Sequence, residues 1–89
     1  NNPQVSADAT RWLYEKNSKV HGVEGPSTDI VDQNLFENHR LCRDLGMVHY
    51  EWLWNLEEVL NVGEFQFQGI PLRIKKGSGS PVRALAFVE

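Results

Sequence analysis

The segment Met47-Val48-His49-Tyr50-Glu51-Trp52-Leu53-Trp54 constrains this chain more than any other stretch. Read as an extended strand, it alternates. Met47, His49, Glu51 and Leu53 point one way; Val48, Tyr50, Trp52 and Trp54 point the other. The second face is wholly apolar and is expected to be buried. The first places a carboxylate and an imidazole among apolar neighbours, where a charge is costly unless it is paired or bound to a cation.

The elements around this strand predict an α/β or mixed layered fold whose sheet is only partly supplied by the chain. Ser6 is a fitting helix N-cap, Asp8 suits the positive end of the helix dipole, and Ala9, Trp12 and Leu13 form a helical stripe ending near Asn17. Val20 to Val23 reads as a short buried strand. Glu24 to Asp29 then breaks it with turn formers, a placement at which α/β proteins often bind ligands. Asn34 with Glu37 resembles a capping box for a helix running to about Leu45, with Gly46 as its C-terminal stop. Leu35, Phe36, His39 and Cys42 share one side of that helix, so His39 points to the interior or to a cleft. A short helical turn is expected over Asn55 to Leu60. Further strands are expected over Phe65 to Ile74, bent at Gly69 and Pro71, and over Val82 to Val88, with a flexible loop from Lys76 to Pro81 between them.

Bulk properties narrow the function. Eighty-nine residues make at most one domain of the usual size, about 50 to 250 residues. The net charge of −3 and the scattered Lys and Arg argue against nucleic acid, and no apolar run is long enough for a membrane span. Residues 77–80 (Gly-Ser-Gly-Ser) lack the Gly-Lys-Ser/Thr ending of a phosphate loop and read as a linker between strands. The single cysteine, Cys42, is read as a packed thiol without a nearby histidine, lysine or helix N-terminus to activate it, and a reducing cytoplasm is the expected compartment. The chain opens Asn1-Asn2-Pro3 without Met or a secretory leader, which is expected of a processed, cleaved or truncated piece.

His39 and Glu51 are the candidate functional pair, one on the helix and the other on the following strand. Imidazole and carboxylate suit zinc or manganese and also suit acid–base work. The competing reading is a buried His–Glu hydrogen bond. Two residues do not complete a site, since catalytic zinc takes about three protein ligands plus water. His49 shares the strand face of Glu51 and is a weaker candidate; His21 is read as structural. Trp12, Trp52 and Trp54 are read as core or interface.

Several ordered features resemble the cyclase-type metal hydrolases, which include kynurenine formamidases and isatin hydrolases. Residues 6–13 are similar to the family's helix before its central strand. Gly22 through Asp29 resembles its Gly-(Ile/Val)-Asp-Thr-Pro-Ser-x-Asp loop, and His39 followed by Glu51-Trp52-Leu53-Trp54-Asn55-Leu56 resembles its His followed twelve residues later by Glu-Asn-Leu-x-Asn-Leu. Residues 70–75 and 79–84 are similar to its closing pair of strands. The chain departs from the pattern at Glu24-Gly25 and at Trp52.

The resemblance implies a swivelling β/β/α-type cyclase fold, of which residues 1–89 supply the C-terminal helices and strands of a single domain. It implies a metal-dependent hydrolase of an amide, imide or lactone bond, of the arylformamidase kind, using metal-activated water. His39 is then a metal ligand or proton-transfer partner, Glu51 a metal ligand, and the cofactor a divalent zinc or manganese ion. The family's main motif, His-x-Gly-Thr-His-x-Asp-x-Pro-x-His, has no match in these residues. A complementary N-terminal polypeptide is therefore the expected partner, along with a small-molecule amide or lactone substrate and a homo-oligomer of the assembled unit. The alternative is a non-catalytic binding or scaffold subunit derived from the same fold.

Overall fold

A computed structural model describes residues 4–29 and 35–89. Within them lie two α-helices and two small two-stranded sheets, an α/β arrangement. The chain divides into two compact units, residues 1–54 and 55–89.

In the first unit, helix α1 (Ala7–Glu15) starts where Ser6 Oγ accepts the Ala9 amide at 3.1 Å. It ends at Asn17, whose φ of 70° lets the Asn17 and Ser18 amides reach back to the Tyr14 and Leu13 carbonyls. Helix α2 (Glu37–Leu45) ends in the same way. Gly46, with φ 69°, and Met47 donate to the carbonyls of Arg43 and Cys42. These are the paired bonds of a Schellman motif, which needs a left-handed residue at its apex. The expected stop at Gly46 is borne out. The start differs from expectation: Asn34 lies outside the described residues, and Phe36 occupies the N-cap with no side-chain bond of its own. The capping oxygens come instead from Asp29, which accepts the Asn38 amide at 2.7 Å and the His39 amide at 2.9 Å.

Strands β1 (Val20–Gly22) and β2 (Val48–Tyr50) pair in parallel, with α2 in the connection between them. The register sets Val20 beside Val48, His21 beside His49 and Gly22 beside Tyr50. Main-chain bonds continue past the strand ends, from Val23 N to Tyr50 O, Leu53 N to Val23 O and Trp52 N to Gly25 O. These tie the segment carrying Glu51 to the loop that follows β1. The strand is shorter than its alternation predicts, because Trp52 takes a φ of 57° and turns the chain away. The apolar face expected to be buried is open: Val48, Trp52 and Trp54 are 56%, 71% and 90% exposed. β1 is likewise half-exposed rather than buried.

The interior of this unit mixes apolar and polar groups. Leu41, Cys42 and Met47 are buried together with Thr10, Thr28, Asp29 and Asn38. Asn38 links these groups. Its Oδ1 accepts the Thr10 hydroxyl at 2.6 Å, and its Nδ2 donates to the carbonyls of Val5 and Thr28. The helix–helix contact therefore rests on Thr10, and the expected stripe on α1 is not its buried face: Trp12 is 56% exposed.

In the second unit, a 3-10 turn (Leu56–Val59) falls within the expected helical turn. Strands β3 (Gln66–Gly69) and β4 (Ala84–Phe87) pair antiparallel, with Gln66 opposite Phe87 and Gly69 opposite Ala84. β3 stops at Gly69, where the bend was expected. No residue of 55–89 is buried, and Phe65, Phe67, Leu85 and Phe87 are exposed. Among the described residues no helix is long and apolar enough to cross a membrane.

Asn38→Ala is expected to destabilise the first unit by about 2–3 kcal/mol, because a buried polar group stripped of its partner costs about 1–3 kcal/mol. Urea unfolding monitored on α-helical circular dichroism measures this. A midpoint unchanged from the parent would show that the Asn38 bonds are dispensable.

Candidate metal centre

The site is built where three elements meet. α2 carries His39 and Cys42 on successive turns of one face, β1 carries His21, and β2 leads through His49 into Glu51. In a parallel pair in register, His21 and His49 stand side by side, and their rings meet edge to face at 5.8 Å. α2 packs against β2, bringing the rings of His39 and His49 to 4.7 Å, also edge to face.

His39 Nδ1 lies 2.6 Å from Asp29 Oδ2, and His39 Nε2 lies 3.4 Å from Glu51 Oε1. His49 Nε2 is 3.1 Å from that same Glu51 oxygen. The two residues singled out from sequence are therefore brought together, and His49, the weaker candidate, joins them.

Asp29 sets the chemistry of this group. Burial pulls its carboxyl upward, but the bonds from the His39 ring and from the Asn38 and His39 amides outweigh that and hold it below the ordinary carboxylate value. An ionised carboxylate only accepts, so the proton of a neutral His39 ring sits on Nδ1. Nε2 then presents a lone pair toward Glu51 Oε1. Two acceptors at 3.4 Å oppose each other unless a proton or a cation lies between them.

The spacing fits a cation. Ligand nitrogen and oxygen atoms about 2.0–2.2 Å from a tetrahedral zinc lie roughly 3.3–3.5 Å from each other. The observed 3.4 and 3.1 Å are near that edge length, and the ligand atoms of His39, His49 and Glu51 all lie within 4.8 Å of one another. The Asp29–His39 contact is the carboxylate–imidazole support common behind metal-ligating histidines. Side-chain exposures of 36%, 17% and 31% for His39, His49 and Glu51 leave the group reachable from solvent.

Cys42 is 2% exposed, in keeping with a packed thiol. Burial, and after it the negative charge of Asp29, push that thiol up. The expectation that no histidine lies near it is overturned by the fold: His21 Nε2 is 3.8 Å from Cys42 Sγ. Burial, and then the neighbouring His49, lower the His21 pKa.

Sequence reasoning missed Asp29 as the partner of His39. The signal available was its position at the end of a turn-rich loop following a strand, where side chains converge on a ligand site.

Comparison with known proteins bears out the resemblance. A kynurenine formamidase of Bacillus cereus is 32% identical over 83 residues, covering 93% of this chain and 39% of the relative. One of Bacillus mycoides is 32% identical over 84 residues, with the same coverage. One of Salinibacter ruber is 29% identical over 83 residues, covering 91% of this chain and 37% of that protein. The chain is thus homologous to kynurenine formamidases along nearly all of its own length, and it spans well under half of theirs. No protein-family model matches it, and no solved structure matches it.

Replacing Asp29 by Asn tests its role. The depressed Asp29 value means its contribution to stability is fully present above the ordinary carboxylate pKa, about 3.9. That contribution is lost as pH falls through the native value. Asp29→Asn should lower the urea midpoint at pH 7, and the two proteins should converge as pH falls below about 4. A gap that persists undiminished in acid would assign the effect to packing instead of charge.

Proposed function

We propose that this chain is the C-terminal part of a cyclase-fold, metal-dependent hydrolase that cleaves an amide, imide or lactone bond. The observation that carries the reading is the convergence of His39 Nε2, His49 Nε2 and Glu51 Oε1, with Asp29 holding the His39 proton on the opposite ring nitrogen. The homology to kynurenine formamidases supports an amide C–N bond as the bond cleaved, and an aryl formamide as the first substrate to try.

A divalent zinc or manganese ion held by these residues would supply a Lewis acid for the carbonyl and lower the pKa of water toward about 7. The remaining work belongs to the chain. Asp29 fixes the tautomer and the rotation of His39, so that Nε2 faces the site with its lone pair available. That lone pair serves either as a ligand or as the acceptor of a proton from the nucleophilic water, and both uses require the same tautomer. His49 sits on the short β2 strand and Glu51 just beyond its end, and main-chain bonds to β1 and its loop fix their spacing.

Three donors from one chain leave room for others. The relatives are more than twice the length of this chain, and residues 55–89 bury none of their apolar side chains. Both facts support completion by a complementary N-terminal polypeptide carrying further ligands, which would cover Trp52 and Trp54 or place them at a subunit contact. A reducing cytoplasm suits an enzyme whose thiol in this chain is free.

The test uses the assembled protein. His39→Ala and Glu51→Gln should each lower turnover of an aryl formamide by about 100-fold or more, the usual scale for losing a positioned acid–base group. Metal content by elemental analysis should fall in parallel. Variants with undiminished turnover and full metal content would remove both residues from the site; a parent that binds metal without turnover would favour the scaffold reading.

A further inference from the structure

We propose that His21, Cys42 and His49 form a second metal site, distinct in chemistry from the first, which takes a thiophilic ion of the zinc and cadmium class. The ligand atoms of these three residues lie within 4.8 Å of one another. His21 Nε2 and Cys42 Sγ are 3.8 Å apart. Nitrogen at about 2.0–2.1 Å and sulfur at about 2.3 Å on one tetrahedral zinc are separated by roughly 3.5 Å, so this pair is within a few tenths of an ångström of a shared ion.

The His21 ring is weakly satisfied as it stands. His21 Nδ1 is buried and has no hydrogen-bond partner among the described residues, which is uncommon for a buried polar atom. Its other nitrogen faces the Cys42 thiol, a weak partner by either role. Coordination through Nε2 would replace this weak contact with a metal–nitrogen bond. Cys42 is itself almost wholly buried, on the α2 face that looks onto both histidine-bearing strands. Binding exchanges the S–H bond for a sulfur–metal bond, and the thiol proton leaves to solvent.

The two groups differ in softness. His39, His49 and Glu51 offer nitrogen and oxygen, whereas His21, Cys42 and His49 offer nitrogen and sulfur, which select softer ions. His49 is common to both. Occupation of the sulfur site therefore draws on a side chain that the hydrolytic site uses, so a thiophilic ion competes with the hydrolytic metal for it.

Cobalt titration of the chelator-treated assembled protein tests this, because a thiolate ligand gives cobalt an intense near-ultraviolet charge-transfer band that nitrogen and oxygen ligands do not. The band is expected in the parent and in Glu51→Gln. It should vanish in Cys42→Ser, and in His21→Gln it should need at least about tenfold more cobalt, the scale of losing one supporting interaction. The Glu51→Gln result separates this site from the hydrolytic reading, since that variant removes only the oxygen ligand of the first group. Absence of the band in the parent at saturating cobalt would overturn the proposal without recourse to any variant. So would a band that survives in Cys42→Ser.

Discussion

The Asp29 carboxylate is the contact on which the first unit depends. One oxygen takes the Asn38 amide; the other takes the His39 amide and the His39 ring. The N-terminus of α2 lacks a side-chain cap from its own N-cap residue, so this group satisfies two of the amides every helix leaves open at its start. It also places a negative charge at the positive end of the helix dipole. The same carboxylate thus anchors a helix, ties the loop after β1 to that helix, and sets the tautomer of the histidine that faces Glu51. Structural stability and the chemistry of the site share one group.

The parallel pairing of β1 and β2 does the rest of the positioning. A parallel pair needs a crossover connection, and here the crossover contains α2. In-register pairing aligns His21 with His49, and the helix lays His39 and Cys42 near them. Four chemically active side chains from three elements therefore meet within a unit of modest size. Their proximity is a consequence of register and of the 3.6-residue helical repeat, which puts residues three apart on one face.

Apolar exposure is widespread among the described residues. Trp52 and Trp54 stand in solvent beside the turn that carries Glu51, and both strands of the second unit show their large side chains. Among the described residues the buried set of the first unit mixes Leu41, Cys42 and Met47 with polar groups tied together by hydrogen bonds through Asn38 and Asp29. Homology to only part of the length of the formamidases is in keeping with these open surfaces.

Much of this was legible in the residues. Ser6, Asn17 and Gly46 mark helix ends because capping and left-handed geometry are local, needing only the neighbouring few residues. The His39–Glu51 pair was legible because a helix and the strand after it lie close in sequence and must fold back on each other. The partnership of Asp29 with His39 was not, because it depends on how the loop after β1 folds onto the start of α2, nor was that of His21 with Cys42, which depends on α2 packing beside the β1–β2 pair. Likewise the alternation of Met47 to Trp54 announced a buried face, but a left-handed Trp52 ends the strand and leaves both tryptophans open. Local rules wrote the caps and turns; register, the helix crossover and long-range hydrogen bonds decided which side chains meet, because those contacts depend on energies that no single stretch of sequence contains.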